Sequence, residues 1–309
     1  MPSSEDAPSI SVITPFFNAE DTIRQLLLCY SFQDIGVPWE IIFVDNRSTD
    51  KTISLIKYYE GDLPEYKIVA AIEFAGAGYA RNIGVDNSSS KCLAFCDADD
   101  EIPQTWVSDM LEGIKQYGFV GCGIDDSKIN PSYMVGIMNF NTKGLINTGY
   151  LPFAGSGTMG IRKELFLQVG GFDSSLKYSE NSDLCYRIQL TGSSIHFLPD
   201  THIYVRLRNS VWDACKQSYN WGRSEKVLAI RYERFGHKNP GFEFGSLRTL
   251  LRSCVIFVLR FYDQKKRRRY ARSIFKVLGS LMPTMKEASM PVKINEAQLD
   301  RDVLKRLLG

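Results

Sequence analysis

The chain is expected to fold as an α/β protein, a mostly parallel sheet with helices on both faces and a helical C-terminal extension. Three observations carry that expectation. Over the first hundred residues, short and continuously apolar runs alternate with helix-period segments, as strands buried on both faces of a parallel sheet do. Polar or acidic clusters close several of those runs. Charge also changes sign along the chain: residues 1–204 hold 14 Lys/Arg against 26 Asp/Glu, whereas residues 205–309 hold 23 against 9. An acidic α/β part is thus joined to a basic part suited to an anionic partner.

Taken in order, Ser9 to Thr14 is a β-rich run. A helix is expected after it through Leu28, with Asn18 as N-cap and Asp21 three residues on. Trp39 to Val44 is the second strand, followed by Asp45-Asn46-Arg47-Ser48-Thr49-Asp50 and a helix from Lys51. Lys67 to Ile72 is the third, and a glycine-containing turn leads to a helix near Ala80-Arg81-Asn82. Lys91 to Cys96 is the fourth. Beyond residue 105 the signals are mixed: Gly155 to Ile161 is small and polar before a strand-like end, Lys163 to Val169 is helical, and Gly170 to Asp173 turns. Glu180 to Asp183 then leads into a helix from Leu184 to Leu190, and 210–235, 246–262 and 266–280 read as helices.

The fourth strand empties into Asp97-Ala98-Asp99-Asp100-Glu101. Carboxylates crowded at one sheet edge repel unless water or a cation relieves them. Mg²⁺ and Mn²⁺ suit such a place, because one or two carboxylates plus substrate phosphates complete their shells. A solvated acidic turn before a helix opening at Ile102-Pro103 is the alternative. Open α/β sheets bind ligands outside the carboxyl ends of their strands. That rule gathers Pro15-Phe16-Phe17, Asp45-Asn46 and Asp97-Ala98-Asp99 around one crevice.

Other classes are excluded or disfavoured. Seven scattered cysteines with no C-x-x-C pair argue for reduced thiols and a cytoplasmic setting, against a disulfide framework or zinc site. Met1 to Asp6 is polar and acidic, so no signal peptide is expected. No apolar run approaches the roughly 20 residues that span a bilayer. Dinucleotide binding requires a glycine-rich turn after the first strand, where Pro15-Phe16-Phe17-Asn18 stands instead. A nucleotidyltransferase would carry a glycine-rich triphosphate loop there, and none is present. Nucleic acid is discounted, since the basic run has no recognition motif beside it.

Several of these segments, taken together and in order, resemble glycosyltransferase family 2. They are Val12 to Glu20, Val44 to Asp50, Ala80 to Gly84, Asp97-Ala98-Asp99 as a DXD motif, Gly170 to Asp173, and Glu180 to Arg187. The resemblance covers about residues 9–207. It implies an inverting nucleotide-sugar transferase of GT-A fold occupying 1–207, with a donor-binding half at about 9–105 and an acceptor half at 106–207. Residues 208–309 then form the basic helical region.

The resemblance also implies a nucleotide diphosphate-sugar donor, a hydroxyl-bearing acceptor, and Mn²⁺ or Mg²⁺. Pro15 and Phe17 would wall the nucleoside, with Phe16, Glu20 and Ala98 expected beside the donor in the same motifs. Asp45 and Asn46 would meet the base edge. Arg81 would lie near the diphosphate and Asp97 near the ribose. Asp99, with Asp97, would hold the metal. The family's base comes from an acidic pair before the later helix, where this chain reads Glu180-Asn181-Ser182-Asp183. Asn181 occupies the usual base position and cannot accept a proton, which leaves Glu180 or Asp183. It also keeps open a sugar-nucleotide-binding protein with weak or no transfer. Asn46 stands where many members carry Asp, and Arg206 near where many supply a metal-binding His.

In the basic region, Tyr219 and Trp221 could stack on a sugar or simply pack. Cys254 to Leu259 lies between Arg252 and Arg260, and Lys265 to Arg269 follows. An apolar helix beside a polybasic run suits peripheral attachment of 252–269 to the anionic inner face of a membrane. A packed helix with a solvated basic turn remains the alternative.

Overall fold

The computed structural model describes residues 7–136, 144–238, 244–282 and 288–308. Seven strands form one sheet: β1 (Ser11–Phe16), β2 (Glu40–Asp45), β3 (Glu65–Ala70), β4 (Cys92–Phe95), β5 (Phe119–Asp125), β6 (Met159–Arg162) and β7 (His196–Tyr204). Their spatial order is β3-β2-β1-β4-β6-β5-β7. The first four run parallel, β6 is antiparallel to β4 and β5, and β7 is parallel to β5. Order reverses at β1, with β2 on one side and β4 on the other. The carboxyl ends of these three strands are therefore the switch point, the position at which open sheets bind ligands.

The helices of the α/β part are α1 (Ile23–Ser31), α2 (Thr52–Tyr58), α3 (Ala77–Asp86), α4 (Trp106–Tyr117), α5 (Lys163–Gln168) and α6 (Glu180–Leu190). Alternate strand residues feed two cores, because successive strand side chains point to opposite faces. Ile13, Ile42, Leu93 and Phe95 pack with α3, α5 and α6 residues such as Val85, Phe166 and Leu184. Val12, Ile41, Phe43 and Ala94 pack with α1, α2 and α4 residues such as Leu26, Ile56 and Met110. Helix α3 lies so close to the sheet that a Cβ at Gly84 would come within 2.5 Å of Ile13 Cγ2.

Strand bounds differ from the expected ones by one or two residues. One local expectation fails outright. Asn18 is not the N-cap of α1, which starts five residues later with Thr22 at its cap position. Asn18 instead adopts φ 48°, a left-handed conformation that asparagine tolerates better than most residues.

In the basic region, α7 (Val211–Arg231), α8 (Phe244–Leu259) and α9 (Gln264–Ser280) follow, and α10 (Arg301–Leu308) ends the described chain. Helices α7 and α9 cross at two glycines. A Cβ at Gly222 would lie 1.9 Å from the Lys276 carbonyl oxygen, and one at Gly279 2.0 Å from that of Tyr219. The end of α7 belongs to the main core: Val227, Leu228, Tyr232 and Phe235 join it, and Leu304 and Leu307 of α10 pack against it.

Candidate active site

The loops after β1 and β2 brace each other. Asn18 N–H donates to Ser48 Oγ (3.0 Å), and Asn18 Oδ1 accepts from Thr49 N–H (2.8 Å). Glu20 N–H donates to Asp50 (3.0 Å), while the Glu20 carboxylate accepts from Lys51 N–H at the start of α2 (3.0 Å). Asp45 accepts from Ser48 N–H at 2.9 Å. Glu20 is thus a brace between loops. Phe16 is buried in the core under the sheet, whereas Phe17 is 62% exposed at the crevice rim. Pro15 is buried within β1.

Asn46 is committed to a neighbouring loop. Its amide hydrogens go to the Ala71 and Phe74 carbonyls (2.5 and 2.9 Å), and its Oδ1 accepts from Gly76 N–H (2.9 Å). Arg47, at φ 75°, continues the clasp through Ile72 and Glu73 carbonyls, both at 2.8 Å. The 71–76 segment, which precedes α3, is therefore held at the end of β2.

The acids after β4 meet three arginines. Arg81 is buried and bridges Asp97 Oδ1 (2.5 Å) and Glu180 Oε1 (3.1 Å), with its guanidinium 5.6 Å from the Phe172 ring centroid. Burial opposes its charge, but Asp97 and Glu180 outweigh that and keep it firmly protonated. Arg208, more than half exposed, reaches Asp99 Oδ2 at 3.5 Å. Arg206 donates through Nε to the Asp99 carbonyl (3.1 Å) and through its backbone N–H to Asp100 (3.0 Å). Ala98 is buried between these acids.

Burial, then the charge of Asp97, pushes the Asp99 carboxyl up despite Arg208. Asp100 is raised further by burial and by Asp99 and Asp97. Burial is the first cause of both shifts, and repulsion among the neighbouring carboxylates adds to it. Among the described residues no group of three or more His, Cys, Asp or Glu side chains forms a complete metal cage. Asp99 and Asp97, with side chains 32% and 35% exposed at the end of β4, offer the carboxylate oxygens that suit Mg²⁺ or Mn²⁺, which take remaining ligands from phosphates and water. The residues fit such an ion, and Asp99 and Asp97 would hold it.

At the start of α6, the three base candidates separate. Asp183 is buried, with one oxygen on Arg187 (Nε 2.8 Å, Nη2 2.6 Å) and the other accepting from the Tyr232 hydroxyl (2.8 Å). Arg187 also donates to the Val169 and Gly171 carbonyls (2.6 and 2.7 Å). Asn181 donates to the Ala154 carbonyl at 2.7 Å. Glu180 faces Arg81 and through it Asp97; burial pushes its carboxyl up even though Arg81 pulls it down. Sequence reasoning did not find Arg208 beside Asp99 or Tyr232 against Asp183. The Asp183–Arg187 pair was readable as an i,i+4 pair of opposite charge.

An acid cluster and an arginine-bridged carboxylate thus stand together near the topological switch of a mostly parallel sheet. The model for "Glycosyl transferase family 2" matches residues 11–170, and that for "Glycosyl transferase family group 2" matches residues 93–282. The chain belongs to glycosyltransferase family 2. It is 38% identical over 114 residues to the Bacillus subtilis glycosyltransferase TuaG of teichuronic acid biosynthesis, covering 37% of this chain and 42% of that protein. It is 27% identical over 215 residues to an uncharacterized Rickettsia typhi glycosyltransferase, covering 65% of this chain and 64% of the relative. The chain thus spans less than two thirds of the length of these relatives.

Among solved structures, Staphylococcus aureus TarS 1–349 superposes with TM-score 0.52 at 18% identity, over 87% of this chain and 90% of that one. A Pyrobaculum calidifontis mannosyltransferase, in complex with GDP-Man and Mn²⁺, superposes with TM-score 0.58 at 17% identity, over 87% and 86%. At that identity the likeness establishes the shared GT-A fold.

Proposed function

We propose that this chain transfers a glycosyl group, with inversion, from a nucleoside diphosphate-sugar to a hydroxyl-bearing acceptor. The observation that carries the proposal is buried Arg81, which joins Asp97 at the end of β4 to Glu180 at the start of α6. One guanidinium thereby ties the donor acids to Glu180, whereas Asp183, the other carboxylate of the α6 start, has its two oxygens engaged by Arg187 and Tyr232. Phe17 and Asp45 contact the nucleoside, Asp97 the ribose side of the donor, and Arg208 a diphosphate oxygen, for which guanidinium is well shaped. Asp99 and Asp97 would hold a divalent ion, which would supply positive charge where the diphosphate leaves.

Glu180 takes the acceptor proton. Its carboxyl is held above the usual range by burial, which brings a general base nearer to neutral pH, where it works best. Asp183 supports α6 instead, its two oxygens being occupied by Arg187 and Tyr232. Asn181 favours a second reading, a sugar-nucleotide-binding protein with little turnover. The seven free cysteines suit a reducing, cytoplasmic compartment.

Titration calorimetry with UDP-GlcNAc and GDP-mannose, with and without Mn²⁺, tests the donor. Those donors are chosen because TarS 1–349 is described with UDP-GlcNAc and the Pyrobaculum enzyme with GDP-Man. Binding of either, strengthened by Mn²⁺ and followed by release of the diphosphate with an acceptor present, is the expected result. Failure of every donor to bind refutes both readings; binding without turnover supports the second.

A further inference from the structure

Helix α8 presents an apolar stripe that the rest of the described chain leaves uncovered. Leu247, Leu251, Val255, Val258 and Leu259 are all exposed, the last two at 71% and 74%, and Tyr262 stands free just beyond. Their spacing of three, four, seven and eight residues puts them on one helical face. Ser253, on the opposite side, is buried and hydrogen-bonded to Ser273 of α9 (3.0 Å). A shallow cavity of about 480 Å³ lies along this face, lined by Leu247, Arg248, Leu251, Arg252, Val255 and Ile256.

The surroundings of the stripe are strongly cationic. Residues 244–282 contain ten Lys/Arg and one acid, Asp263. Arg248, Arg252, Arg260, Lys265, Lys266 and Arg269 are exposed. Asp263 is engaged as the N-cap of α9, accepting from Lys266 N–H at 3.0 Å. A face that is apolar along its centre and cationic around it complements one kind of surface best, anionic lipid headgroups above acyl chains. A nucleic acid would use the charge and leave the Leu and Val side chains without partners.

We infer that α8 and the start of α9 form a peripheral docking face for an anionic lipid surface. The helix lies in the interface plane and does not cross it. Sixteen residues reach about 24 Å, short of the roughly 30 Å hydrocarbon core, and no described helix is long and apolar enough to span a membrane. Helix α9 is also tied to the segment carrying Arg206 and Arg208, since Arg268 donates to the Asn209 carbonyl at 2.8 Å. The docking face and the acid cluster are thereby parts of one connected structure.

Vesicle flotation of the full chain tests this independently of donor binding. Phosphatidylglycerol–phosphatidylcholine vesicles should carry the protein upward, and pure phosphatidylcholine vesicles should not. Neutralising Lys265 and Lys266 to Gln should weaken association about fivefold per charge. L251N/V258N, at two exposed positions, should abolish flotation while thermal unfolding and nucleotide-sugar binding stay unchanged. Three results would overturn the inference: no flotation at all, equal flotation on both vesicle types, or salt-sensitive binding that survives L251N/V258N, which would mark simple polyanion attraction. A dimer that becomes monomeric in L251N/V258N would likewise overturn it, by giving the face to a second copy of the chain.

Discussion

Replacing Asn181 by Asp interrogates the base and the scaffold at one position. The Asn181 amide nitrogen donates to the Ala154 carbonyl at 2.7 Å, and an ionised carboxylate has no hydrogen to donate. Losing a neutral hydrogen bond costs about 1 kcal/mol, and leaving the carbonyl unsatisfied against a charged oxygen brings the total to roughly 2–3 kcal/mol. Protonation restores a donor, so the introduced carboxyl has a folded-state pKa above its unfolded value of about 3.9. The sign follows. Below the unfolded pKa the group is protonated in both states and the penalty is absent; it grows as pH rises toward the folded pKa and is constant beyond it. Urea denaturation of N181D beside the wild type, from about pH 4.5 to pH 8, should show a deficit confined to the upper range. If position 181 also faces the acceptor hydroxyl, transfer should rise by about 10² to 10⁴. An unchanged rate removes position 181 from the mechanism. A deficit equal at every pH refutes the Ala154 contact as the reason for asparagine.

Arg81→Met should cost about 3 kcal/mol in urea denaturation, near the lower end for breaking a buried pair, because the Asp97 side chain is 35% exposed and water can take over part of its charge. A loss under 1 kcal/mol would mean that the bridge is not structural. Glu180→Gln keeps an acceptor for Arg81, so donor affinity should hold while transfer falls by about 10² to 10⁴; loss of donor affinity instead would assign Glu180 to the donor. Since burial raises the Glu180 carboxyl, transfer by the wild type should fade on acidification at a pH above the ordinary glutamate range. The midpoint should move higher still in Arg81→Met, which loses the charge that favours the carboxylate. Gly84→Val should lower stability by about 1–3 kcal/mol through overpacking, given the 2.5 Å approach to Ile13 Cγ2; a neutral result would mean that α3 can retreat from the sheet.

The sheet was legible because strands covered on both faces have no polar side to blur the signal. Ile41-Ile42-Phe43-Val44 can hardly read as anything else, and the rule about carboxyl ends then located the crevice. What escaped was decided by partners distant in sequence. Nothing local in Asn46 announces that Ala71, Phe74 and Gly76 consume its amide. Asn18 reads as a helix cap until Ser48 and Thr49, thirty residues on, claim it. The same holds at the start of α6. Glu180 and Asp183 are equal candidates in sequence, since both are acids in the first turn of a helix. Arg187 could be paired with Asp183 by spacing alone, but Tyr232 comes from the end of α7, 49 residues later, and it closes the second oxygen. The choice between two carboxylates in one helical turn thus depends on the basic helical region packing against the α/β core. A truncation that removes α7 and Tyr232 would strip the second Asp183 oxygen of its hydroxyl donor while the Arg187 pair persists, so the two parts of the chain cannot be separated without loosening the first turn of α6.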